Sequence, residues 1–115
     1  MTIQAYLWVT HLEGADLNNA HMEGAHLFRA HLEGADLRGA HLEGACFRAI
    51  HLEDADCWAT YLEGADLRGA HLERAIALTV EQLSTVKTLY DAHLDPPLLE
   101  QIQQQSPHLL EKPQD

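Results

Sequence analysis

Basic side chains are scarce in this chain: seven Lys and Arg stand against 18 Asp and Glu, a formal net charge of −11. Such a surface repels phosphate backbones, so direct binding to nucleic acid is disfavoured and a basic protein partner is favoured. Cysteine is scarcer still. Cys46 and Cys57 occupy different positions in the pattern described below, so no bridge is expected and both are read as reduced thiols of a cytoplasmic protein. The opening Met1-Thr2-Ile3-Gln4-Ala5 has neither a basic stretch nor a long apolar run; no signal peptide, transmembrane segment or membrane partner is expected. Nucleophile elbow, phosphate loop and CxxC pair are all missing, and the reading is of a non-enzyme without cofactor or metal. At 115 residues the chain is one small domain.

What the chain does have is a five-residue period. An apolar centre returns at Leu12, Leu17, Met22, Leu27 and onward to Leu72, with Phe47 and Cys57 standing in for the usual leucine. Two residues before each centre sits alanine, interrupted at Thr10, Ile50 and Thr60. On a helix five residues advance the phase by roughly 500°, which spreads the centres around the cylinder. On a strand an odd step sends them to alternate faces. The chain must turn a corner in every unit instead, and glycines such as Gly14 and Gly34, two residues after a centre, suit such turning.

Ala15-Asp16-Leu17, Ala35-Asp36-Leu37 and Ala65-Asp66-Leu67 match the A-(D/N)-L-x-x pattern, and the chain resembles the pentapeptide-repeat family over about residues 5 to 77. In its overall cast it looks most like cyanobacterial members. The resemblance implies an all-β solenoid, a right-handed quadrilateral β-helix of about 3.5 coils with four pentapeptides to a coil. It implies that the centre and the residue two before it point inward while the other three face out. On that pattern Cys46 points outward and Cys57 inward.

The repeat doubles into a ten-residue phrase, His-Leu-Glu-Gly-Ala-Asp-Leu-Arg-Gly-Ala at 31–40 and nearly again at 61–70. Ten residues are half a coil, so opposite walls carry the same chemistry. One wall stacks His11, His31, His51 and His71 beside Glu13, Glu33, Glu53 and Glu73; the opposite wall stacks His21, His41 and Tyr61 beside Glu23, Glu43 and Glu63. Asp16, Asp36, Asp56 and Asp66 with Arg38, Arg48 and Arg68 belong to the other two. The histidine and glutamate columns are the one constellation with metal or acid–base potential. On a convex, solvated wall they read as a charge-balanced face rather than a metal site. Phe47 and Cys57 pair a large centre with a small one across the coil, which conserves core volume. Trp58 is expected to point outward over Arg38 and to stack on it.

The repeat stops at Leu78. Thr79 to Gln82 has the form of a capping box, and Val80, Leu83, Val86, Leu89 and Tyr90 predict an amphipathic helix to about His93. Asp95, as cap, with Pro96 in the first turn starts a second helix, which Ser106-Pro107 ends. The division is therefore a repeat domain at 1–78, a cap of two short helices at 79–106 and a frayed tail at 107–115.

Two functions remain. The first is a rigid acidic rod that presents a face or an end to a protein partner, with Trp58, Tyr61, Tyr6 and Trp8 as the candidate contact patch. Tyr6 and Trp8 lie at an N-terminal end with too little chain before it for a capping helix, so the molecule is a monomer or a homodimer through an end. The alternative follows from relatives that resemble duplex DNA and bind DNA gyrase. About 14 repeats make a rod of only roughly 17 Å, shorter than those relatives.

Overall fold

The computed structural model of the chain describes residues 8–114. Backbone bridges, all parallel, join residues 20 apart: His11 to His31 to His51 to His71, Asp16 to Asp36 to Asp56 to Ile76, His21 to His41 to Tyr61, and His26 to Cys46 to Asp66. Four columns of bridges divide each coil into four sides, one pentapeptide to a side. Each bridge is a single residue long because the chain turns at once. The carbonyl of a centre accepts the amide three residues on, as Leu12 does from Ala15 at 3.0 Å and Leu67 from Ala70 at 3.1 Å.

The third residue of each turn decides whether the turn forms. From Val9 to Arg74, every fifth residue has a φ between 55° and 72°, the feature of a type II turn. Glycine takes this conformation without strain, and a Cβ added at Gly14, Gly24, Gly34 or Gly44 would meet nothing within 4 Å. Glycine is there for its dihedral and not for space. Ala49, Ala59 and the β-branched Val9 hold the same conformation against the steric preference of an L side chain.

Coils are joined by backbone hydrogen bonds such as Leu12 N–H to His31 O at 2.7 Å and His31 N–H to Thr10 O at 2.8 Å. Inside them, the centres from Leu17 to Leu72 and the alanines before them, from Ala20 to Ala70, are buried, with Ala15 partly so. Phe47 and Cys57, half a coil apart, are both buried. Thr60, in an alanine position, is buried too and donates its hydroxyl to Leu37 O at 2.7 Å, so its polar atom is satisfied.

Beyond Leu78 the structure departs from the sequence reading. The helix expected from Val80 to about His93 is four residues long, α1 (Val80–Leu83), with Thr79 and Gln82 closing the capping box. The chain then rejoins the solenoid: Thr88 bridges Asp66 and His93 bridges His71, both at a spacing of 22. Apolar steps of three, such as Leu83 to Val86 to Leu89, imitate a helix. The repeat makes the same step on its inner side, from Leu67 to Ala70. Val86 and Leu89 are buried as part of the coil.

The second helix, α2 (Pro96–Gln105), begins and ends where its prolines predict. Asp95 does not cap it through its side chain; the carboxylate accepts the Arg74 backbone amide at 2.9 Å instead. The segment after Ser106, expected to fray, forms a 3-10 turn at Pro107–Leu110. Leu109 anchors it, buried, with its carbonyl accepting Leu89 N–H at 2.7 Å. Ile102 and Leu109 share one apolar cluster with Leu83 and Leu89.

Candidate functional site

The turn geometry that points leucine and alanine inward throws the remaining side chains outward, and the 20-residue register stacks them. Five imidazoles form one column, with ring centroids 4.8, 4.6, 4.5 and 4.4 Å apart from His11 through His31, His51 and His71 to His93. The rings are within 9° of parallel. On the opposite wall His21 stacks on His41 at 4.6 Å and His41 on Tyr61 at 4.4 Å. His93 was not among the residues the repeat assigned to the column. Ala92-His93-Leu94 repeats Ala70-His71-Leu72, which is the signal that marks it.

Glutamates stand beside these columns. Oε2 of Glu13, Glu23, Glu33, Glu43 and Glu53 lies 3.2–3.3 Å from Nδ1 of the histidine two residues before it, and Glu73 lies 3.7 Å from His71. The Glu13 carboxyl is held below its ordinary value chiefly by its own backbone amide, with burial opposing and His11 assisting. Glu23 is lowered by its own amide and then by His21. The wall is less solvated than the sequence reading held. The Oε1 atoms of Glu33, Glu43, Glu53 and Glu73 are buried and make no hydrogen bond.

The aspartate walls are neutralised locally. Arg38 grips Asp36 through two hydrogen bonds of 2.9 and 2.8 Å, and this guanidinium holds the Asp36 carboxyl down at about 2. Burial pushes the Asp66 carboxyl up, but Arg68 outweighs it and the net shift is downward. Asp54 accepts from Arg74 at 3.2 Å. The expected stacking of Trp58 on Arg38 does not occur. Asp36 takes the guanidinium in plane, with Asp56 3.9 Å away, and two carboxylates outcompete a ring face.

The candidate contact residues do not form one patch. Trp58 is 63% exposed and Tyr61 45% exposed, and they lie at adjoining positions along the chain. Trp8 stands edge-on to Phe28, centroids 6.1 Å apart. It is 50 residues from Trp58, two and a half coils, and so on the opposite side. Tyr6 lies outside the described residues. Two shallow recesses mark the surface. One, of about 300 Å³, runs between Tyr61, Glu63 and α1, where the helix replaces a rung. The other, of about 250 Å³, lies between Phe28, Arg48, Arg68 and Tyr90. Among the described residues no helix is long and apolar enough to cross a membrane.

Eight copies of the family pattern described as pentapeptide repeats match residues 10–44 and 50–77. Solved structures similar to the chain include a pentapeptide repeat protein from the cyanobacterium Cyanothece 51142, with 24% identity, 76% of this chain and 63% of that one covered, and a TM-score of 0.37. Another is a pentapeptide repeat protein of the Arabidopsis thaliana thylakoid lumen, with 20% identity, coverage of 85% and 74%, and a TM-score of 0.31. The chain therefore spans less than two thirds of the length of the first of these. No curated protein matches it. Eight repeat matches over most of the coil-forming stretch, with the 20-residue register and the inward leucines and alanines already described, place this chain in the pentapeptide-repeat family.

Proposed function

We propose that the protein is a non-catalytic interaction module, a rigid acidic rod that presents a wall or an end to a basic protein partner in the cytoplasm. In this reading the coils wind as a right-handed quadrilateral β-helix, and α1, α2 and the 3-10 turn cap its C-terminal end. One observation carries it: the inward centres from Leu17 to Leu72 are packed, so the axis holds no cavity for a substrate. Groups with chemistry lie on the outer walls. The free Cys46 and Cys57 support a reducing compartment.

The test is capture by the intact protein and by a Trp58→Ser, Tyr61→Ser variant with an unchanged fold. A partner retained by the first and lost by the second supports the reading. Identical captures by both would remove the Trp58–Tyr61 surface from it.

A second reading, mimicry of duplex DNA toward gyrase, draws on residues 51–70, whose five carboxylates and one guanidinium leave four negative charges. Duplex DNA presents about three over one rung. Residues 31–50, with three carboxylates and two guanidiniums, fall well short. A gyrase supercoiling assay at low salt decides it, and unaltered supercoiling with excess protein rules it out.

A further inference from the structure

The histidine and glutamate columns carry more than a balanced surface. We infer that adjacent imidazoles of each column, with the glutamate between them, chelate a transition-metal dication of the zinc type. His11, Glu13 and His31 bring three ligand atoms within 4.8 Å of one another, and so do His31, Glu33 and His51; His51, Glu53 and His71; and His71, Glu73 and His93. The opposite wall repeats the set once, as His21, Glu23 and His41, and ends at Tyr61.

Three observations point to a cation. The first is the ligand chemistry: imidazole nitrogen with a single carboxylate suits zinc, nickel or copper, whereas magnesium and calcium want oxygen alone. The second is distance. Nδ1 and Oε2 within one rung stand 3.2–3.3 Å apart, and two ligands on tetrahedral zinc, with bonds of about 2.0 Å, are separated by about 3.3 Å. Half of each site is therefore already at chelating distance except at Glu73, which stands 3.7 Å from His71. The third is independent of both. Glu33 and Glu53, like Glu43 on the opposite wall, each bury an Oε1 with no hydrogen-bond partner, and a buried carboxylate oxygen left unpaired is costly. A dication beside the carboxylate supplies the missing charge.

The remaining ligand requires movement. Parallel rings 4.4–4.8 Å apart aim their nitrogens side by side rather than at one point. One ring of each pair turns out of the stack to bind. That requirement fixes the stoichiometry, because an imidazole given to one ion is lost to its neighbour. Five imidazoles in one column hold two ions and the pair on the opposite wall holds one, so the chain saturates at three.

Native mass spectrometry and calorimetry of the full chain with Zn²⁺ alone, near neutral pH, test this. The column of His21 and His41 already holds tyrosine at Tyr61, and these positions face outward, so asparagine variants keep the fold, which circular dichroism verifies. His31→Asn leaves the overlapping pairs 51/71 and 71/93 and lowers the total to two. His51→Asn leaves the separate pairs 11/31 and 71/93 and keeps the total at three. His108→Asn, outside the columns, changes nothing, and a large excess of Mg²⁺ displaces no zinc. The inference is overturned by an absence of zinc binding, by the loss of an ion in His51→Asn, or by displacement of zinc by Mg²⁺.

Discussion

His93 stacks on His71 with ring centroids 4.4 Å apart, although 22 residues separate them where every earlier rung of that column is separated by 20. Two extra residues have been absorbed without disturbing the ladder. The 20-residue spacing still holds at Ile76, bridged to Asp56, and the offset is complete by Thr85, whose carbonyl accepts Gly64 N–H at 2.9 Å. Between them lies α1. A helical turn consumes more residues per ångström than extended chain, so it takes up the surplus and returns the strand in register. The recess beside Tyr61 is the mark this leaves on the surface.

The left-handed turn residues separate conformation from packing. Ala59, at φ 55°, carries the steric penalty of a side chain in that region, about 1–2 kcal/mol. Ala59→Gly is expected to stabilise the fold by about 1 kcal/mol after the entropic cost of glycine. Gly34→Ala is expected to destabilise it by a similar amount, although its Cβ meets nothing within 4 Å. Urea denaturation of both variants checks the signs, and equal effects of one sign would refute the account.

Gln82 ties α1 to the coil beneath. Its Nε2 donates to Cys57 O at 2.9 Å and Thr60 O at 3.1 Å, while its Oε1 accepts the Thr79 amide at 2.8 Å. Gln82→Ala strips partners from part-buried carbonyls and is expected to cost about 1–3 kcal/mol. Thr79→Ala removes only the cap, at about 1 kcal/mol. Because the two share one network, the double variant is expected to lose less than the sum, which a double-mutant cycle by thermal unfolding measures.

The two thiols differ in reach. Desolvation pushes the Cys57 thiol up to about 12, and the side chain is 3% exposed; Cys46 is half-buried on the outer wall. The thiolate is the reactive form. Iodoacetamide at pH 8 is expected to label Cys46 alone in the folded protein and both cysteines in denaturant. Mass mapping of the labelled peptides reads the outcome, and rapid modification of Cys57 in the folded state would contradict the buried centre.

Asp36 sets an acid limit. Its folded value of about 2 lies below the ordinary 3.8, so the folded state favours the carboxylate. The resulting stability is present above pH 3.8 and is lost as pH falls through about 2. Its carboxyl carbon, followed by NMR, is expected to titrate near 2, and in Arg38→Gln to move up toward 3.8. An Asp36 that titrates unchanged in the variant would show that Arg38 is not the cause.

The period of five, the inward leucines and alanines, the opposite walls of histidine and glutamate, and the limits of α2 were all legible in the order of residues. Each depends on a local rule: a turn closed within five residues, a proline at a helix start, and a register of 20 that follows once four such turns close a coil. The capping box of Thr79 and Gln82 was legible for the same reason. The partner of Asp95, the fate of Arg38 and the buried oxygens of the glutamates were not, and the place of His93 was marked only by the short echo of Ala70-His71-Leu72 in Ala92-His93-Leu94. Apolar steps of three serve both a helix and an inward-facing coil, so the choice at residues 84–93 was made by the open edge of the preceding coil, which offered the carbonyls of Ala65 and Ala70 to Lys87 and His93. Asp95 and Arg74 meet across 21 residues, and Gln82 reaches Cys57 across 25. Those pairings depend on which groups an adjacent coil leaves unsatisfied, a property that exists only once the chain has stacked on itself.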